Sequence, residues 1–325
     1  MEKTVDPDYL VVYYIHADAD YLYYDAAGKS VRGNRKIFDT AIKVAEEAKS
    51  GEVFVFYQES ETNFLGLFPR KKSWFYHYTN GELSSQVKYH HSNKKEDFLT
   101  TEAQLYNQYK SNTRNEDQRN YFLYFGHEIP DADGKKYHRT LPDIIVNTES
   151  FSIGIQRFLA SNKDRFDLSV LSTCNNGTPM TAEHLMPYSD ALLASPQNLH
   201  LSHIDSKTLN LLESHPEISS IQLADSMAER TYQRLENEIQ TTITLTVYDL
   251  DFIRKMKSEL HAFSKKFNAL DSTQNLSDNI DCNQFEFFDG EIFENGLKTW
   301  YRPARFGRKA TTTHSGWGCK PLLQK

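Results

Sequence analysis

"YLVVYYIHAD" (9–18), "RKIFDTAIKVAEEAKSG" (35–51) and "EVFVFYQ" (52–58) follow one another near the start of the chain, and their order decides the fold. The first and third are unbroken apolar, β-branched and aromatic runs, too short for helices, and read as buried strands. The middle stretch repeats apolar residues at helical spacing. Ile37, Ala41, Val44, Ala45 and Ala48 share one face, and Gly51 is expected just past the end as a C-cap. Strand, helix and strand at this spacing make a βαβ unit whose strands lie parallel in one sheet.

Working outward, the pattern continues. "SWFYHYTNGELSSQVKYHH" (73–91) places two strand-like runs around Asn80-Gly81, the strongest short hairpin signal, so a β-hairpin arm is expected there. "TTEAQLYNQYKS" (100–111) reads as a helix, "YFLYFGHEIP" (121–130) as a strand and "NTESFSIGIQRFLASN" (147–162) as a helix. "FDLSVLST" (166–173) then gives a strand that ends at Cys174. Helix "TAEHLMPYSD", strand "ALLAS", helix "DSMAERTYQRLEN", strand "TTITLTVYDL" and helix "DFIRKMKSELHAFSKKFN" complete the alternation. The expected class is α/β, a mostly parallel central sheet with helices on both faces. Periodicity fades after residue 268, so residues 1–268 are expected to form one domain. Residues 269–325 are expected to form an irregular C-terminal extension packed on or following it.

Bulk composition narrows the function. Of 325 residues 39% are hydrophobic and 13% aromatic, enough for a sizeable core. The net charge of -7 argues against nucleic acid as a partner. No run of about 18 apolar residues marks a membrane span. The opening "MEKTVDPDYL" has no basic-then-apolar leader pattern, so a cytoplasmic location is expected. Three cysteines (Cys174, Cys282 and Cys319) without CxxC spacing argue against a disulfide framework and a thiolate zinc site. No cofactor and no metal are expected. "AAGKS" (26–30) lacks the first glycine of a phosphate loop, where Tyr23 stands, and "DADG" (131–134) lacks the later ligands of a calcium loop. His90 and His91 are read as exposed.

Ligands gather beyond the carboxyl ends of parallel strands. Two strands end there on reactive side chains, His127 and Cys174. An imidazole beside a thiol populates or generates the nucleophilic thiolate, and acyl transfer also needs backbone N–H groups for the oxyanion. The N–H of Cys174 and one beside His127 are the candidates. A buried structural thiol is the alternative for Cys174.

"VYYIHADADYL", "YFLYFGH", "FDLSVLSTCNNGTPMTAEHLMPYSDALLASP" and "TTITLTVYDLDFIRKMKSEL" together resemble, in the same order, blocks of the clostripain-like cysteine peptidases of the caspase and gingipain clan. The resemblance covers roughly residues 9–268. It implies a caspase-like three-layer α/β/α sandwich and a cysteine endopeptidase acting on a peptide or protein substrate through a covalent acyl-enzyme. His127 would be general base and acid and Cys174 the nucleophile. The N–H groups of Glu128 and Cys174 would form the oxyanion hole, and Asp18, Ser172 and Ser195 would line the substrate groove. Two positions depart from the family's pattern: Glu128 replaces a glycine, and Ser172 replaces an aspartate linked to basic specificity. These departures define the alternative, a catalytically inactive relative that serves as a binding or scaffolding module.

Overall fold

The structure, a computed structural model, describes residues 6–17, 22–24, 28–59, 62–64, 68–70, 73–91, 96–111, 117–131, 135–136, 144–159, 163–199, 204–274, 295–306 and 314–317. Along the chain run β1 (Tyr9–His16), a ribbon of β2 (Leu22–Tyr24) and β3 (Ser30–Arg32), α1 (Gly33–Glu47) and β4 (Gly51–Gln58). A ribbon of β5 (Thr62–Phe64) and β6 (Phe68–Arg70) precedes the hairpin β7 (Ser73–Thr79) and β8 (Glu82–Tyr89). Next come α2 (Thr100–Tyr109), β9 (Arg119–Phe125), the ribbon β10 (Lys135–Lys136) and β11 (Ile145–Val146), and α3 (Thr148–Gln156). The second half runs β12 (Leu168–Ser172), α4 (Pro179–Leu185), β13 (Ala191–Ala194), α5 (Leu211–Ser214) and α6 (Ser220–Glu238). It ends with β14 (Ile243–Asp249), α7 (Leu250–Arg254), α8 (Lys257–Gln274) and β15 (Leu297–Arg302).

One sheet of nine strands, in the order β15-β14-β13-β12-β9-β1-β4-β7-β8, divides the molecule. Its centre, β13 through β4, is parallel, and antiparallel pairs extend it on both sides. Alternate residues of β1 enter opposite cores, as the period of two along a strand requires. Leu10, Val12 and Tyr14 pack with side chains of α2, α3, α4, α7 and α8, whereas Val11, Tyr13 and Ile15 pack with those of α1, α5 and α6. The three-layer α/β/α sandwich with a hairpin arm is therefore present. The hairpin turns where expected, on Asn80 and Gly81 at φ 53° and 82°, the left-handed pair that a two-residue turn of this hand needs.

Two expectations differ. Gly51 does not cap α1 but opens β4, and a Cβ there would lie 2.3 Å from the Tyr9 ring, so glycine is required by close packing. Beyond residue 268, α8 continues to Gln274, and residues 297–302 form β15 antiparallel to β14. Trp317 is fully buried against Tyr248 and Phe263, with ring centroids 4.9 and 5.9 Å apart. The C-terminal stretch thus supplies an edge strand and a core residue. Five half-buried residues and one exposed lysine, without alternation, give no local strand signal; pairing with β14 makes the strand.

Candidate active site

β1, β4, β9, β12 and β13 point the same way, so their carboxyl ends share one edge of the sheet. β9 and β12 are neighbours there, in a register that sets Tyr121 opposite Leu168 and Phe125 opposite Ser172. His127 lies two residues beyond β9 and Cys174 two beyond β12. The 47-residue offset of the strand pairing is therefore also the offset between His127 and Cys174.

That register persists after the strands end, carried by side chains instead of main-chain rungs. Gly126 N–H donates to the Ser172 carbonyl at 3.5 Å. Asn175 Nδ2 donates to Glu128 Oε2 at 2.7 Å. The Asn176 carboxamide accepts from Ile129 N–H at 2.9 Å and donates to the Ile129 carbonyl at 2.8 Å. Thr178 Oγ1 donates to Asp131 Oδ1 at 3.0 Å. Each of the three side-chain ties spans the same 47 residues. The two loops run side by side from the strand ends to the first turn of α4.

The Cys174 loop is shaped by its own sequence. Asn175 sits at φ 54°, a left-handed conformation that asparagine tolerates better than most residues. Asn175 N–H and Gly177 N–H donate to the carbonyls of Gln197 and Ser195, at 3.1 and 2.8 Å, which fastens the loop to the chain leaving β13. Cys174 is a free, half-buried thiol. Burial pushes its pKa above the ordinary value; a hydrogen bond from the Leu199 main chain lowers it and the Glu128 carboxylate raises it. The net effect favours the protonated thiol.

The other expected site residues fall as follows. Glu128 is exposed beside the thiol loop. Ser172 is buried, and its Oγ accepts from Ile204 N–H at 3.0 Å. Ser195 is buried, with its Oγ donating to the Gln197 carbonyl at 2.8 Å and accepting from Gln197 N–H at 3.2 Å. Both hydroxyls are engaged by the protein's own main chain. Asp18 lies outside the described residues, as do Cys282 and Cys319. Among the described residues no group of three His, Cys, Asp or Glu side chains is arranged to hold a metal ion, and no helix is long and apolar enough to cross a membrane.

Asn175, Asn176 and Thr178 were not read as site residues from the sequence. Their signal is the constant offset from residues 128, 129 and 131, visible only once the strand register is known. His91 differs from its expected exposure. Its Nδ1 meets Glu96 Oε1 at 2.6 Å and its Nε2 lies 3.3 Å from Glu102 Oε1, beside the buried Gln58 and Tyr89.

No family model and no curated relative matches the chain. Solved structures do. A secreted C11 cysteine protease from Bacteroides thetaiotaomicron, in complex with an irreversible peptide inhibitor, matches with a TM-score of 0.57 at 12% identity over 91% of this chain and 84% of that one. The fold is that of the C11, clostripain-like cysteine proteases. A structure of secreted "iotapain" from the same organism gives a TM-score of 0.59 at 11% identity, covering 97% of this chain and 95% of the other. An inactive zymogen C11 protease from Parabacteroides distasonis gives 0.50 at 11% identity, with 78% and 65% covered. Identities of 11–12% carry the C11 fold and leave activity to be argued from the site. The secreted character of the B. thetaiotaomicron proteins overturns the cytoplasmic location expected from the opening residues. The start of this sequence carries no weight against it.

Proposed function

We propose that this chain is a cysteine endopeptidase in which His127 and Cys174 act as a dyad. The observation that carries the reading is the 47-residue register, which runs from the strand pairing before these two residues to three side-chain ties beyond them. Residues paired across neighbouring parallel strands lie roughly 4.8 Å apart, within reach of a thiol and an imidazole.

Cys174 Sγ attacks the scissile carbonyl carbon while its proton passes to the His127 imidazole. Burial disfavours the thiolate, so a base beside the thiol is needed to take its proton. The C–S bond forms and the carbonyl π pair moves to oxygen, where the N–H groups of Cys174 and Glu128 receive it. The N–H groups of Asn175 and Gly177 are taken by the carbonyls of Gln197 and Ser195, and that of Ile129 by Asn176 Oδ1. Collapse breaks the C–N bond, and His127 protonates the leaving amine. Water, deprotonated by His127, then attacks the thioester and returns the thiol. Asp18, two residues past β1 in the sequence, is assigned to the substrate groove; Ser172 and Ser195 act there by holding its wall. An extracellular setting accords with the reading.

A second reading, a non-catalytic binding module, is favoured by one feature: Glu128 places a carboxylate where it opposes thiolate formation. Peptide-library digestion read by mass spectrometry, with wild type, Cys174→Ala and His127→Ala, separates the two. Cleavage by wild type that both variants lose supports the peptidase. No cleavage by wild type supports the binding module.

A further inference from the structure

We infer that Asn176 is the positioning residue that fixes His127 against Cys174, an inference that rests on the peptidase reading and deepens it. Asn176 is completely buried. Its Oδ1 accepts from Ile129 N–H at 2.9 Å and from Thr173 Oγ1 at 2.7 Å, and its Nδ2 donates to the Ile129 carbonyl at 2.8 Å. One side chain thus exchanges a donor and an acceptor with the main chain of a single residue, as two strands do at a ladder rung. It supplies that rung two residues past His127 and two past Cys174, where the β9–β12 ladder has stopped. The loop carrying His127 is held here, from inside the protein.

The flanking ties are different in kind. The Asn175–Glu128 bond is exposed, where water competes with it. Asp131 fastens the far end of the loop to Thr178 and Thr181 at the start of α4, at 3.0 and 3.3 Å, four residues beyond His127. Asn176 is the buried tie between them. The requirement is also chemically narrow. At this reach a carboxamide offers one acceptor and one donor, an ionised carboxylate offers acceptors only, and a protonated carboxyl offers both.

That narrowness provides the test, made on the full chain. Asn176→Ala and Asn176→Asp are compared with wild type from pH 5.5 to 8.5 by peptide kcat and KM, by the rate of Cys174 alkylation with iodoacetamide, and by thermal unfolding. Asn176→Ala is expected to lower kcat about tenfold or more with KM changed less than about twofold, because misplacement acts on the chemical step. Asn176→Asp is expected to match it at pH 8.5 and to recover about fivefold or more toward wild type as the pH falls, because the protonated carboxyl regains the donor for the Ile129 carbonyl. The titratable groups around the position are His127, Glu128 and Asp131 on one loop and Cys174 on the other. Wild type carries all four, so the variant-to-wild-type ratio cancels their titration. A folded alanine variant with kcat within about twofold of wild type overturns the inference, as does a flat aspartate ratio while both proteins remain folded. Should the alanine variant fail to fold, the aspartate ratio decides. Should wild type cleave nothing, the peptidase reading falls, and the aspartate ratio in alkylation rate decides the inference alone: a rise toward low pH upholds it and a flat ratio overturns it.

Discussion

Substituting Gly177 by alanine is expected to damage the Cys174 loop out of proportion to its effect on the fold. A Cβ at this position would lie 2.5 Å from Pro196 N, 2.5 Å from Tyr248 Oη and 2.9 Å from Pro196 Cα. Ordinary contacts begin near 3.4 Å, so something must move by close to an ångström. Neither neighbour yields easily. The Tyr248 hydroxyl donates to the Gly316 carbonyl and its ring packs on Trp317, while Pro196 is main chain between Ser195 and Gln197, both bonded to the thiol loop. Overpacking of this kind costs about 1–3 kcal/mol. At about 2.1 cal/mol/K per residue, a chain of 325 residues loses about 1.5 °C of Tm per kcal/mol, so a fall of about 1.5–4.5 °C is expected. The loop itself takes most of the displacement, because α4 and β13 are anchored on either side. Cys174 alkylation at pH 7.5 is therefore expected to change at least about fivefold in a protein that is still folded, since a shift near 1 Å is large on the scale of reactive geometry. Calorimetry and mass-spectrometric alkylation kinetics measure the two effects. A variant that keeps both the wild-type Tm and the wild-type rate would refute the packing argument.

Further outcomes can be stated from the same contacts. Glu128→Gln retains an acceptor for Asn175 and removes the charge that raises the thiol's pKa, so alkylation of Cys174 at pH 7 should accelerate about two- to fivefold, the modest size set by solvent screening; an unchanged rate would exclude the charge as a cause. Burial pushes the Glu102 carboxyl above its ordinary 4.5, a raised folded-state value whose stabilising share is present below the unfolded pKa and lost as pH rises through the folded one. Glu102→Gln keeps an acceptor for Gln58 and Tyr89, so its Tm should gain on wild type by about 1–3 °C between pH 4 and pH 7.5, and a pH-independent difference would count against the assignment. Trp317→Ala empties a fully buried site and should cost about 3–5 kcal/mol, a fall of about 4.5–7.5 °C in Tm by scanning calorimetry.

What local pattern encodes was legible; what distant contact imposes was not. The βαβ unit and the hairpin could be read because alternation, helical spacing and the Asn80-Gly81 turn are properties of neighbouring residues. Gly51 was misread because a glycine after a helix looks like a cap, whereas the Tyr9 ring that requires it comes from another strand. Ser172 and Ser195 are named by the family resemblance alone, and the partners of their hydroxyls, Ile204 N–H and the Gln197 main chain, become visible only in the fold. Cys174 and His127 could be named from two strand ends. The asparagines that tie their loops could not, since the tie depends on the register of β9 with β12 rather than on any motif.

The position of β15 bears on how the molecule is made. The sheet's last strand and the Trp317 side chain come from residues 297–317, so β13 and β14 are laid down long before their outer cover exists. Until those residues leave the ribosome, β14 stands as an open edge with unpaired main-chain groups and a bare apolar face, the kind of template on which chains associate wrongly. Completion of this fold is therefore tied to completion of synthesis through residue 317. Loss of the terminal stretch should be felt as failed yield of soluble protein before it is felt as failed chemistry.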